Sequence, residues 1–503
     1  MAASRAAMER IMRNDLASRA REIALTLTSW PSVTGSADEV AFSAKLAGLV
    51  DGWTEGIPDD PRRNVFTLKR GTGRRTVVLT GHFDVVPVED YGALKPLAFE
   101  AERLLPEMIA KLKATGENPL ALADLESGDY LPGRGLLDMK AGLAAGIAAM
   151  EVWGGEGNLL FVGVADEEDR SAGARAAAPL IARIAREHDL DIALVINLDA
   201  INDQGDGSAG RVVAMGSIGK QLLTALAIGQ EAHACYPQYG VNAAYLAAEL
   251  ACEFELAAEL AETTGEEVAA PPTALHLKDQ KSGYNVTTPA QTWAYWNTLQ
   301  HQRSSAQVFE IGLALARRAM ARAEAKTGRA IPVMTYAALA ARVAPEKLKA
   351  QTTALAGTDL DLPERARLMT QFAWAESGLS GPTVVMGFGS IPYPAVQLSD
   401  AALEETIMAA AAPFGLKPVR YFAGISDMSF LGEASGDLSV CAANTPIWGT
   451  SFVMPEAAGY PCINIGPWGR DYHHWLERVH ALYAFEILPR VLIAVIEAVM
   501  RAR

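Results

Sequence analysis

The sequence predicts an α/β protein: a mixed open sheet with helices on both faces, into which a ferredoxin-like α+β segment is inserted. Three observations predict it. Short runs rich in Val, Ile and Leu alternate with Ala-rich helical stretches, and carboxylates stand directly after several of those runs. From about Ser217 the order of the elements changes to β-α-β-β-α-β. At 503 residues the chain also exceeds what one hydrophobic core usually holds, so two domains are expected.

The N-terminal stretch "MAASRAAMERIMRNDLASRAREIALTLTSWPSV" mixes Arg with Glu9 and Asp15 and has no apolar core. It reads as an amphipathic helix, not a secretion signal. Strands are expected at "NVFTLKR", "RTVVLTGHFD", "NLLFVGVADEE" and "DIALVINLDA", with helices at "DMKAGLAAGIAAMEVW" and "GARAAAPLIARIAREHD". The inserted segment then reads as a strand "KQLLTALAIGQ" and a helix "GVNAAYLAAELACEFELAAEL". Two paired strands, "TALHLKDQKSGYNVTTP" and "QTWAYWNTLQH", follow; a helix "SAQVFEIGLALARRAMARAEAKTG" and a last strand "IPVMTYAALAAR" complete it. Past about Ala344 helices return, with "GPTVVMGF" and "PCINIGPW" as further strands of the first sheet. The expected division is therefore 1–216 and 341–503 as one domain and 217–340 as the insert.

Half the residues are hydrophobic and a fifth are charged, as in ordinary globular proteins. A formal net charge of -15 argues against nucleic acid or an anionic membrane as partner, because both require a basic face. The four cysteines are widely spaced without a C-x-x-C pair, which favours reduced, buried thiols over a disulfide framework. No run reaches about 18 uninterrupted apolar residues, so no membrane span is expected. A cytoplasmic enzyme fits this composition.

Ligands and catalytic groups in open α/β sheets gather beyond the carboxyl ends of strands. His82 and Asp84 in "GHFDVVP" alternate with Phe83 and so share one face. Asp138 stands at the start of a helix in "GRGLLDMKAG", Glu167 and Glu168 in "ADEED", Asp199 in "INLDA", and His473 and His474 in "GRDYHHWLERVH". Singly, each has a plain explanation: a histidine satisfied by a neighbouring acid, a helix cap, a solvated charge. Together, five carboxylates and a histidine at one sheet's strand ends would repel without a cation. Imidazole nitrogen and carboxylate oxygen without Cys suit zinc or another first-row divalent ion. An acid in excess of the ligands is free to act as a base.

These segments, in this order and over nearly the whole chain, resemble the M20 family of metallopeptidases and amidohydrolases. The resemblance implies a zinc-peptidase-like catalytic domain with an inserted lid. It implies two divalent ions, most simply Zn2+ with Co2+ or Mn2+ as alternatives, bridged by Asp138. His82 and Asp199 complete one site; Glu168 and a C-terminal histidine complete the other. A histidine four residues before a glutamate is the family spacing, which selects His473 ahead of His474 because Glu477 follows. Asp84 is the acid that orients His82, and Glu167 is the general base. The peptide bond after Asp138 is expected to be cis. "GQEAHACYPQYGVNAA" resembles the lid motif, making His233 the oxyanion-stabilising group, in many members reaching a neighbouring subunit, and "YNVTTP" makes Asn285 a substrate contact. A homodimer through the lid and a small amide or peptide substrate are further implications.

The pattern also departs from the family. Many members carry an arginine after the Asn-x-x-Pro segment to clamp a substrate carboxylate, whereas here Asn297 and Thr298 stand near that place, and Arg303 takes over only if the chain bends back. The long excursion from Asp84 to Asp138 and the stretch from Asp427 to His473 look most like the arginine-utilisation branch. A non-catalytic metal-stabilised binding or regulatory protein of amino-acid catabolism is the alternative, and every expected acid and ligand position being filled argues against it. A serine hydrolase lacks its G-x-S-x-G elbow, "GISDMS" failing at the last position.

Overall fold

Four apolar runs build the centre of the first sheet. Thr72–His82 lies between Glu156–Val164 and Asp191–Asn197 and is parallel to both, with His82 level with Val164 and Thr80 level with Asn197. Arg63–Lys69 joins antiparallel beyond Glu156–Val164. The parallel strands are buried on both faces, which is why Val77, Val78 and Leu79 or Leu159 to Val162 run without polar alternation. The full eight-stranded order is Trp53–Gly56, Arg63–Lys69, Glu156–Val164, Thr72–His82, Asp191–Asn197, Cys462–Asn464, Val212–Ala214, Lys417–Val419. Helices Ala141–Val152 and Leu488–Arg501 pack on one face through residues such as Leu143, Ile147, Val491 and Val495; Ala172–Glu187 packs on the other through Ala177, Ile181 and Ile184. The N-terminal helix Ala2–Ser29 buries Leu16, Ala20, Ile23, Ala24 and Leu27, the three- and four-residue spacing of an amphipathic helix.

The computed structural model describes residues 2–502 except 266, 434, 435 and 457, with side chains from Asp15 onward. The chain forms two compact units. The first comprises Met1–Ser217, Val396–Ala434 and Pro455–Arg503; the second comprises Ile218–Ala395 and Ser435–Met454. The insert is thus larger than the 217–340 expected from sequence: it runs on through 341–395 and takes a further piece near 440. Among the described residues no helix is long and apolar enough to cross a membrane. The thiols divide evenly: Cys441 and Cys462 are buried as expected, while Cys235 and Cys252 are exposed.

The second unit contains a five-stranded sheet in the order Thr273–Asp279, Gln291–Gln300, Gly219–Ile228, Thr383–Phe388, Val333–Thr335, covered by Ala243–Phe254 and Ser305–Thr327. The helix Ser305–Thr327 begins in a capping box between Ser304 and Gln307. The first four strands of that order are mutually antiparallel, as a β-α-β-β-α-β unit requires. Its fourth place, however, is filled by Thr383–Phe388, from the "GPTVVMGF" run that sequence reading placed in the first sheet. The expected last strand, "IPVMTYAALAAR", contributes only three edge residues, parallel to Thr383–Phe388. Thr335 ends it by capping the helix Tyr336–Ala340, its Oγ1 accepting from Ala338 N at 3.1 Å.

A small four-stranded sheet in the first unit was not foreseen. Its order is Tyr130–Pro132, Arg478–His480, Trp468–Arg470, Ile201–Asn202. These strands precede Asp138, flank His473 and follow Asp199, so this sheet carries into one place the segments that the main sheet's strand ends do not.

Candidate metal centre

The main sheet brings two acidic turns around His82. Glu156–Val164 runs into Ala165-Asp166-Glu167-Glu168, and Asp191–Asn197 into Leu198-Asp199, on either side of the strand that ends at His82. Gly81 lacks a side chain for a reason: a Cβ there would collide with the Met139 side chain of the turn Leu136–Lys140, which presents Asp138. The Asp138–Met139 peptide is cis. Gly466 has the same function beside Asp199, whose carbonyl a Cβ would strike.

His82 Nε2 lies 3.1 Å from Asp138 Oδ1 and 3.8 Å from Asp199 Oδ1. His473 Nε2 lies 3.2 Å from Asp138 Oδ2 and 3.1 Å from Glu168 Oε2. Two triads, His82–Asp138–Asp199 and Asp138–Glu168–His473, therefore each offer ligand atoms within 4.8 Å of one another, and Asp138 belongs to both through different oxygens. A third grouping of the same size, His82–Glu167–Glu168, places Glu167 at the edge of the pair, its Oε2 3.9 Å from His82 Nε2. His474 takes another place: its Nδ1 accepts from Leu476 N at 3.3 Å. His473 is held toward the acids by a left-handed backbone, φ 63°.

The donor chemistry fits divalent cations. Burial alone would depress the His82 pKa, but hydrogen bonds to Asp138 and Asp199 and the charge of Glu167 push it well above the imidazole range. The same balance, with Asp138 and Glu168 outweighing burial, lifts His473 to about 10. Burial raises Glu167, Glu168 and Asp199, with neighbouring carboxylates adding to it. Buried acids in this number attract protons wherever they can, and two ions would take the place of those protons.

Asp84 acts differently from the simple His–Asp pair anticipated for it. Its carboxylate is 3.7 Å from His82 Nδ1, whereas its backbone carbonyl is 3.0 Å away. The carboxylate instead accepts from Glu167 N at 3.1 Å and Glu168 N at 3.2 Å, and from Thr34 Oγ1 at 2.9 Å. Asp84 thus fixes the ring through its main chain and the acidic turn through its side chain.

Sequence reading missed several supports. Glu477, noticed only for its spacing from His473, is fully buried and accepts from Leu137 N and Asp138 N at 3.2 and 3.4 Å, with Arg134 Nη1 3.0 Å from its other oxygen. Asp427, which the resemblance matches to a structural aspartate without giving it a role at the site, lies buried near Glu167, and burial pushes it up to about 7. Under the acidic turn, Arg62 pairs with Asp60, Glu39 and Asp166, and Glu39 Oε1 accepts from Asp166 N at 3.0 Å.

That last network yields a pH prediction. Burial raises Glu39 from 4.5 to about 7, with Asp84 adding to it and Arg62 opposing. Between those values the folded state holds a proton that the unfolded chain has lost, so Glu39 erodes stability as pH rises through the window. Glu39→Gln should therefore gain melting temperature relative to the parent from pH 4.5 to 7 and level off above. The ceiling is about 1.4 kcal/mol per pH unit. Parallel melting profiles of the two proteins across this range would refute it.

With this geometry in hand, comparison with known proteins is decisive. The sequence pattern of peptidase family M20/M25/M40 matches residues 78–445. The chain belongs to this family. The uncharacterized protein YqjN of Bacillus subtilis (strain 168) is 31% identical over 95% of both chains. Protein RocB of the same organism is 26% identical over 94% of this chain and 93% of its own. A succinyl-diaminopimelate desuccinylase of Novosphingobium aromaticivorans is 30% identical over 44% of this chain and 52% of that one. Solved structures share the fold: the aminopeptidase PepT of Bacillus cereus ATCC 10987 superposes with a TM-score of 0.55 at 15% identity, covering 96% of this chain and 98% of that one. The Bacillus subtilis YxeP protein, described as a dinuclear metal binding peptidase, gives 0.51 at 12%, covering 96% and 99%. The chain is thus a metal-binding hydrolase of the M20 type.

The remaining anticipated residues lie in the second unit. His233 and Asn285 are exposed on two loops that pair with each other, His233 opposite Thr287 and Ala234 N donating to Val286 O at 2.9 Å. Asn285 Oδ1 accepts from Thr287 Oγ1 at 2.7 Å. Asn297 sits mid-strand with its Oδ1 buried and, among the described residues, without a hydrogen-bond partner. Arg303 gives Nη1 to the carbonyl of Glu259 at 2.7 Å.

Proposed function

We propose that this M20 protein hydrolyses an amide or peptide-like bond of a small amino-acid-derived substrate, with two divalent ions held by the triads that share Asp138. The sharing of one carboxylate between two imidazole-containing triads, with Glu167 in excess beside them, is the observation that carries this reading. Zn2+ is the first candidate, with Co2+ and Mn2+ compatible with the same nitrogen and oxygen donors. Held there, the ions supply Lewis acidity, lowering the pKa of the attacking water and polarising the scissile carbonyl.

Glu167 takes the proton of that water and later delivers it to the leaving nitrogen, so that the C–N bond breaks to give a carboxylic acid and an amine. Asp84 keeps Glu167 and Glu168 apart and aimed by holding both of their backbone N–H groups. His233 stabilises the oxygen on which negative charge develops, and Asn285 beside it contacts the substrate. Arg303 is bonded to the Glu259 carbonyl and Asn297 Oδ1 has no hydrogen-bond partner among the described residues, which favours a neutral group held by Asn297 over a carboxylate clamped by Arg303. A homodimer through the second unit, a cytoplasmic site of action and a place in amino-acid catabolism complete the proposal.

The test is a hydrolysis screen of the metal-loaded protein. It spans N-acylated and N-carbamoylated amino acids, dipeptides, arginine and ornithine derivatives, and amides without a free carboxylate. We expect turnover in at least one amide class, silenced by chelation and revived by Zn2+, Co2+ or Mn2+. Turnover that survives complete metal removal would overturn the mechanism.

A further inference from the structure

His473 differs from the other groups of the two triads in being poorly enclosed. Its side chain is 45% exposed, against 11% for Asp138 and 5% for Glu168. Packing around the ring therefore does little to fix it, and its position depends on the loop that carries it. That loop, residues 471–477, is the turn of a hairpin whose strands Trp468–Arg470 and Arg478–His480 pair Arg470 with Arg478 at its base. Two of its residues, Asp471 and His473, have left-handed backbones at φ 56° and 63°, a conformation unfavourable to these side chains unless the surroundings impose it.

At the base of this hairpin lies a carboxylate more than three hundred residues away in sequence. Asp124, in the helix Pro119–Ser127 of the long excursion between Asp84 and Asp138, lies between the two guanidiniums. Its Oδ1 and Oδ2 accept from Arg470 Nη1 at 3.1 and 2.9 Å, and Oδ2 accepts from Arg478 Nε at 2.8 Å, with Nη2 2.7 Å away. Arg478 is fully buried, Arg470 and Asp124 nearly so, and the Tyr130 ring lies against both guanidiniums at 5.5 and 5.9 Å. From this base Arg478 Nη1 reaches into the loop, to Asp471 Oδ2 at 2.6 Å and Leu476 O at 3.0 Å. Gln204 Nε2 holds the other oxygen of Asp471 at 2.8 Å.

We propose that Asp124 is a positioning residue for His473, and that the excursion exists in part to deliver it: one buried carboxylate fastens both ends of the hairpin so that its strained turn presents the imidazole to Asp138 and Glu168. The inference rests on the two-ion reading given above. Two guanidiniums converge on this one carboxylate, Arg470 through Nη1 on both oxygens and Arg478 through Nε and Nη2 on Oδ2, and so fix direction as well as proximity. Groups that orient a ligand from outside a metal site typically change affinity about 10- to 100-fold when removed.

The experiment is a Co2+ titration of the metal-free full-length chain followed by calorimetry and by the visible spectrum, with His473→Ala marking which site is lost. The parent should bind two ions. Asp124→Asn should keep the first with parental affinity and bind the second about 10- to 100-fold more weakly, in the direction of His473→Ala. If Asp124→Asn does not fold, Arg478→Lys takes its place, keeping the charge while losing the paired contact of Nε and Nη2 with Asp124. Parental affinity at both sites, or equal weakening of both, overturns the clamp. A parental stoichiometry of one would instead overturn the two-ion reading, and the clamp with it.

Discussion

Glu167→Gln will reduce kcat by about 10^2- to 10^4-fold while the protein retains its full complement of metal. The substitution is nearly isosteric: it keeps an acceptor oxygen and removes only the capacity to take a proton. The geometry leaves two roles open to Glu167, because its carboxylate belongs to a ligand-sized grouping with His82 and Glu168 as well as standing beside the shared Asp138. The roles differ in what the variant loses. A base is lost without its metals, whereas a ligand is lost together with one of them. Each triad already has three donors without Glu167, which favours the base. Metal analysis of dialysed Glu167→Gln beside its turnover number separates the two, and loss of one equivalent of metal would move Glu167 from base to ligand.

The site was legible in sequence to the extent that strand ends are. His82, the Glu167–Glu168 pair and Asp199 follow apolar runs that can only be buried strands, so their side chains had to emerge at one edge. Asp138 and His473 stood out as ionisable residues but received their roles only through resemblance, since the four short strands that bring them in are too brief for periodicity to register. Placement of the "GPTVVMGF" run failed for a related reason: six buried residues satisfy either sheet equally, and which sheet claims them is decided by long-range pairing with Gly219–Ile228. The strand expected at "IPVMTYAALAAR" overran because a threonine that suits a strand also caps a helix, and Thr335 does the second. The Asp124–Arg478 contact spans 354 residues, beyond the reach of any spacing argument.

The deeper test of the site is its shared carboxylate. Asp138→Ala removes an oxygen from each triad at once, because Oδ1 faces His82 and Oδ2 faces His473. Asp199→Ala and Glu168→Ala each remove a donor from only one. Two independent sites and a shared one therefore predict different outcomes. We expect Asp138→Ala to lose both ions on dialysis and at least about 10^3-fold in kcat/KM, the order that a Lewis acid and its oriented water contribute. Each of the other two variants should retain about one ion. The backbone support of this residue sharpens the comparison: Glu477 still accepts from the N–H groups of residues 137 and 138 in the Ala variant, so the turn keeps its anchor and loses only the carboxylate. Retention of a full equivalent by Asp138→Ala would mean that one ion is held without it, and the bridging role would have to be given up. Loss of both ions by Asp199→Ala as well would mean instead that the ions bind only as a pair, which leaves the bridge intact and makes the sites cooperative.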